Sequence, residues 1–153
     1  MRRFFATDDS WISLVQRLTL ALVIFPHGAQ KLFGWFGGHG FEGTMGYLTG
    51  AAGLPAPIAL LVILAESLGA LALAFGLFTR LTAAGVAAVM VGAIATVHAK
   101  VGFFMNWTGQ QAGEGYEYHL LALALAIPLV VAGGGKLALD RLIARRVETY
   151  ATR

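Results

Sequence analysis

The stretch APIALLVILAESLGALALAFGLFTRL, residues 56–81, decides the fold. From Ala56 to Phe78 the only ionisable side chain is Glu66. A bilayer core about 30 Å thick needs about 20 helical residues, so 56–78 is expected to span a membrane. The connection GLFTRL is too short for anything but a hairpin, which makes the next apolar run, 81–99, an antiparallel neighbour. Working outward, 12–33 and 116–132 are two more candidate spans, the last the shortest. The expectation is a single all-α domain over residues 1–153, an integral membrane bundle of four transmembrane helices.

Composition agrees. Hydrophobic residues make up 58% of the 153, charged residues 12%, and the mean hydropathy is +0.72. Soluble domains carry about a quarter charged residues. The absence of cysteine excludes disulfides, thiolate metal sites and thiol redox chemistry by this chain. The net charge of +3 does not imply nucleic acid, because the basic residues flank apolar runs instead of forming a polar face. The basic start MRRFF before a long apolar run resembles a signal peptide, but that run exceeds the usual 7 to 15 residues, so it reads as an uncleaved first span.

Lysine and arginine set the orientation. Arg2, Arg3, Arg17, Arg80, Lys136, Arg141, Arg145, Arg146 and Arg153 fall on one side, against Lys31 and Lys100 on the other. The positive-inside rule then places both termini in the cytoplasm. The loop GWFGGHGFEGTMGYLTGAAGLPAP has Phe41, Met45 and Leu48 at helical spacing, which predicts a short interfacial helix over 41–49. Phe103, Phe104 and Trp107 read as interfacial anchors. The tail 136–148, with Leu137, Leu142, Ile143 and Val147 against Arg141, Arg145 and Arg146, reads as a basic surface helix. Small residues four apart (Ala65 and Gly69, Ala84 and Ala88, Ala88 and Gly92) suggest close helix packing. A weak internal echo links PHGAQKLFGWF to VHAKVGFFMNW, as a duplicated helix pair would.

Ionisable groups inside a span cost about 2.5 to 3.5 kcal/mol near its centre, so each needs a partner or a purpose. Arg17 is expected to snorkel to the cytoplasmic headgroups. At 1.5 Å per residue, His27, Glu66, His98 and His119 rise about 22, 18, 25 and 20 Å from the cytoplasmic ends of their helices. One polar group from each span thus falls in a band about 8 Å deep. Pro26 removes the backbone bond to Leu22 and is expected to help His27 reach inward. Glu66 is expected to be protonated or hydrogen-bonded to a histidine, with Lys31 and Lys100 at the mouth of the site. Glu66 and His27 are the candidate proton-transfer groups; His27, Lys31, Glu66, His98, His119 and Tyr118 are the candidate ligand-binding set. Such donors and nearby aromatic rings suit a quinone. Haem or a transition metal is a weaker expectation, since the ligand types are present but no spacing motif is. Purely structural hydrogen bonding across helices is the alternative for each residue.

HGAQKLFG, LVILAESLGALALAFGLFTRLTA, VHAKVGFFMNW, GEGYEYHLLALALA and GGGKLALDRLI together resemble the DoxX family of small four-helix membrane proteins of bacteria and archaea, over about residues 13–142. Glu66, Gly69, Gly76, Thr79, Arg80 and Glu117 are the most specific positions. The resemblance implies a cell-membrane subunit linked to quinone oxidoreductases or redox stress, with membrane or periplasmic redox partners or a second copy of itself. Family members that use a cysteine pair are a poor guide here. A membrane anchor or assembly factor without catalysis is the alternative, and the chain is expected to be at most a subunit of an enzyme.

Overall fold

The computed structural model describes the backbone of residues 2–151 and the side chains of residues 4–146. Arg153, and the side chains of Arg2, Arg3 and Val147, lie outside that description. Every regular element among the described residues is helical: α1 (Arg2–Phe5), α2 (Trp11–Phe33), α3 (Gly40–Gly46), α4 (Ala56–Glu66), α5 (Leu68–Phe75), α6 (Thr79–Thr96), α7 (Glu117–Ala132) and α8 (Leu139–Ala151). Three stretches are long and apolar enough to cross a membrane, Trp11–Phe33, Ala56–Phe75 and Thr79–Thr96, and α7 is a shorter apolar helix.

The chain punctuates these helices with local chemistry. Ser10 caps α2 by accepting from the N–H groups of Ile12 and Ser13, and Gly34 ends it in the left-handed conformation at φ 73°. Pro55 stands at the start of α4, and Gly76 closes α5 at φ 65°. The helix expected over 41–49 is present as α3, continued by a π turn over Tyr47–Ala51. Leu20, Ile24, Leu73, Val86, Met90, Ala126 and Leu129 form the core between α2, α5, α6 and α7. Leu22, Leu61, Leu121 and Val131 point outward, as a bilayer-facing surface requires.

The span expected to run unbroken over 56–78 is interrupted after Glu66. Ser67 has φ −95° and ψ −78° and its hydroxyl donates to the Ile63 carbonyl at 2.6 Å. The cause lies in α2, where Gly28 presses against the 66–67 peptide: a Cβ there would stand 2.1 Å from the Glu66 carbonyl oxygen. The small-residue series is not where the helices meet most closely. Ala84, Ala88 and Gly92 lie on the exposed face of α6, and nothing would stand within 4 Å of a Cβ at Gly92.

Arg17 does not snorkel. It is 1% exposed and donates to the carbonyls of Leu73 (2.8 Å), Ala74 (2.6 Å), Gly134 (3.0 Å) and Lys136 (3.3 Å). These include last-turn carbonyls of α5, which have no partner within their own helix, so a buried cation is satisfied where the helix end is negative. Arg80 does the same for α7, donating to the Val130 carbonyl at 2.7 Å and to that of Val131. Asp140 of α8 is 2% exposed and accepts from the N–H groups of Phe78 and Thr79, each at 2.7 Å, which caps the start of α6. Gly134 lets this knot close, since a Cβ there would lie 2.6 Å from the Thr79 hydroxyl.

Candidate functional site

The site lies toward the opposite end of the bundle, where α2 and α6 end and α4 and α7 begin. Because Gly28 brings α2 against the break below α4, Lys31, one turn further along α2, reaches Glu66. Their ion pair is sequestered: the Glu66 side chain is 6% exposed and that of Lys31 27%. Glu66 is therefore paired with a lysine, not with a histidine as the sequence suggested. An ion pair offsets the cost that either charge alone would carry inside a span.

A string of rings adjoins the pair. His27 lies 5.7 Å from Tyr118 between ring centroids, Tyr118 lies 5.5 Å from His119, and His119 lies 4.1 Å from His98. His27 and Lys31 are one turn apart on α2, so the string, which starts at His27, and the ion pair, which starts at Lys31, adjoin one another. His119 is buried and Tyr118 half-buried, whereas His27 is exposed on the outer face of α2 with Tyr118 beside its ring. The expected inward turn at Pro26 is thus incomplete. Helix α2 runs through Pro26, and only one side of the imidazole is covered.

His98 is not within a span. Helix α6 ends at Thr96 and His98 occupies the following 3₁₀ turn, His98–Lys100. Its Nδ1 is 2.7 Å from the Glu114 carbonyl oxygen, and since a carbonyl only accepts, Nδ1 carries the hydrogen. The loop that supplies this carbonyl is held by two carboxylates. Glu114 accepts from the Asn106 N–H at 2.7 Å and Glu117 from the Met105 N–H at 3.2 Å. Gly115 allows the loop to turn back, a Cβ there falling 2.3 Å from the Phe104 carbonyl oxygen. Lys100, in the same 3₁₀ turn as His98, is exposed.

Two polar atoms of the cluster, the Tyr118 hydroxyl and His119 Nδ1, are buried without a hydrogen-bond partner. Among the described residues no three His, Cys, Asp or Glu side chains come together as a set able to hold a metal ion. The arrangement offers donors and a proton-exchanging nitrogen beside tilted and edge-on rings, the equipment for a flat molecule with carbonyl or hydroxyl oxygens.

The model of the DoxX family matches residues 12–99, more than half of the chain. The chain belongs to the DoxX family. A similar protein from Bacillus subtilis (strain 168), named "Putative oxidoreductase CatD", is 31% identical over 131 residues, covering 86% of this chain and 86% of its own length. No solved structure matches. In this DoxX chain the matched region contains His27, Gly28, Lys31, Glu66 and His98, while Tyr118 and His119 lie beyond it on α7.

Gly28 and the Lys31–Glu66 pairing escaped the reading of the sequence. The signals were present, since a glycine inside a helix costs about 1 kcal/mol relative to alanine and so asks for a packing reason. Lys31 and Glu66 are also opposite charges on neighbouring spans at similar depth. Asp140 carried no comparable signal. It looked like one more charge on a surface helix.

Proposed function

We propose that this chain is a membrane subunit of a redox complex in the cell membrane of a bacterium or archaeon, and that its ring cluster binds a quinone. All four apolar helical segments cross the bilayer in this reading, with both termini cytoplasmic. At 1.5 Å per residue α7 covers about 24 Å, which a locally thinned bilayer accommodates.

The observation that carries the reading is the pair of buried, unpartnered atoms on adjacent residues, the Tyr118 hydroxyl and His119 Nδ1. Leaving a buried polar group unsatisfied costs about 1–3 kcal/mol, so the Tyr118 hydroxyl favours a ligand oxygen that accepts from it and His119 Nδ1 a ligand group with which it can share a proton. A quinone has two such carbonyl oxygens and a flat ring, and it is soluble in the bilayer that the outward leucines face. When bound it supplies two-electron, two-proton redox chemistry. Tyr118 then donates a hydrogen bond to a ring oxygen, and His119 holds or accepts a proton at Nδ1. His27, exposed beside Tyr118, lines the lipid side. The Lys31–Glu66 pair keeps the deep end of the cluster close to neutral, which suits an uncharged ring. Electrons pass to or from a partner protein in this reading, because a cysteine-free chain has no thiol redox centre of its own. The name of the Bacillus relative is consistent with such a role.

The test is to purify the chain in mild detergent from a quinone-producing host and to quantify extracted quinone by mass spectrometry. About one quinone per chain is expected, lost when Tyr118→Phe and His119→Ala are combined. A folded wild-type chain that carries none, and takes up none of a short-chain ubiquinone analogue, overturns the reading.

A second reading, a non-catalytic anchor for a partner protein, draws on the exposed aromatic rings of the outer loops, with Trp107 84% and Phe104 67% exposed. Replacing both by serine releases a co-purifying partner if that reading holds, and leaves every partner bound if it does not.

A further inference from the structure

The cluster is closed at one end. Between Glu66 and the knot around Arg17 lie the side chains of Leu20, Ile24, Ala70, Leu73, Val86, Ala126 and Leu129, all apolar and all buried. None of these core residues carries a titratable group. In the other direction titratable groups continue to the surface: half-buried Tyr118 and buried His119 at the start of α7, then half-buried His98 in the turn after α6, then the exposed Glu114 loop. His27 is exposed as well, but its open side is the lipid face of α2, about 9 Å before the end of that helix, where there is no water to exchange with.

We propose that His98 and His119 are the proton route between the buried Lys31–Glu66 pair and the loop side of the membrane, with His98 as its outer terminus. The proposal rests on the cluster being a place where protons change hands, but not on the ligand being a quinone. The tautomer of His98 is what fits it for the task. With Nδ1–H committed to the Glu114 carbonyl, the lone pair is on Nε2, and a donor bond of this kind fixes the orientation of the ring. A proton from loop-side water adds to Nε2 of His98 and passes to the unpartnered Nδ1 of the neighbouring His119. The Tyr118 hydroxyl then gives its own proton to the Glu66 carboxylate as it receives one from His119. One proton has moved from water to Glu66 and every other group is restored. Neither His119 Nδ1 nor the Tyr118 hydroxyl has a hydrogen-bond partner at rest, so with ring separations of 4.1 and 5.5 Å the transfers to His119, to Tyr118 and on to Glu66 require these side chains to rotate into contact. The charged and titratable groups facing this route are His27 and Lys31 of α2, Glu66 of α4, Tyr118 and Glu117 of α7, Glu114 of the loop, and Lys100 beside His98.

The test needs no redox partner. Purified full-length chain, stripped of small molecules, is acidified rapidly, and the infrared band of the protonated Glu66 carboxyl, identified by its absence in Glu66→Gln, is followed in time. The expected result is that His98→Ala and His119→Ala each slow its appearance about tenfold or more, and that added imidazole restores the rate in His98→Ala, whose site is reachable from water. Unchanged rates in both folded variants overturn the proposal. If an alanine variant does not fold, His98→Gln and His119→Asn carry the same expectations. Quinone content measured on the wild-type preparation before it is stripped separates the two claims. Bound quinone with unslowed variants removes only the proton route, and slowed variants in a chain that binds no quinone remove only the quinone.

Discussion

Gly28 of α2 and Glu66 of α4 meet backbone to backbone: a Cβ on Gly28 would stand 2.1 Å from the Glu66 carbonyl oxygen, 2.3 Å from its carbonyl carbon and 2.5 Å from the Ser67 nitrogen. None of these atoms can move aside as a flexible side chain would. This contact sets the separation across which Lys31 reaches Glu66.

Gly28→Ala is therefore expected to push α2 and α4 apart. Overpacking of this kind costs about 1–3 kcal/mol, and the upper end applies because the obstruction is backbone. Reversible unfolding in mixed micelles measures it. Gly92→Ala is the control: nothing lies within 4 Å of its Cβ, and on the exposed face of α6 it is expected to raise stability, by up to about 1 kcal/mol.

Lys31→Met leaves the Glu66 carboxylate buried and alone, at an expected cost of about 3–5 kcal/mol. The double variant Lys31→Met, Glu66→Gln removes both charges and should recover much of that loss. A double-mutant cycle with a coupling energy below about 0.5 kcal/mol would show that the two residues do not depend on one another.

Arg17→Ala removes a donor from the carbonyls of Leu73, Ala74, Gly134 and Lys136, of which Leu73 keeps the Gly76 N–H, and is expected to destabilise the chain by about 3 kcal/mol. Asp140→Ala, which uncaps α6, is expected to cost about 1–2 kcal/mol. Neither change should alter ligand binding, because both sit at the far end of the bundle. Unfolding midpoints and bound-ligand content read on the same samples check this.

Asp9 pairs with Arg141 at the surface and ties the segment before α2 to α8. The hydrogen bond from Arg141 holds its carboxyl below the ordinary 3.8; slight desolvation opposes this, and the positive charges of Arg141, Lys136 and Arg145 reinforce it. A depressed value in the folded state means that the contribution to stability is present above the unfolded value and is lost as pH falls through the folded one. Amide exchange in α8 is thus expected to be flat with pH near neutrality, once corrected for intrinsic exchange, and to accelerate only below about pH 4. Asp9→Asn should reproduce the acid behaviour at pH 7, and high salt should reproduce part of it.

Four apolar segments, their hairpin order and the polar residues inside them were legible in the sequence because each is a local property. A run of some twenty apolar residues predicts a span whatever surrounds it, and the rarity of charge in such runs makes His27, Glu66 and His119 conspicuous. The helix starts and stops at Ser10, Gly34, Pro55 and Gly76 follow from local backbone chemistry in the same way.

The partners of those residues were not legible, because pairing depends on the rotation and separation of helices, which no single segment encodes. Arg17 could have snorkelled. Only the folded chain brings the Gly134 loop and the end of α5 around it, and the low dielectric of that interior makes carbonyl pairing the way to hold its charge. Glu66 could have bonded to a histidine; the backbone contact at Gly28 gives it to Lys31. The sequence alone determined which groups had to find partners inside the bundle, and the tertiary structure alone decided which partners they found, through interhelical contacts only a few ångströms long.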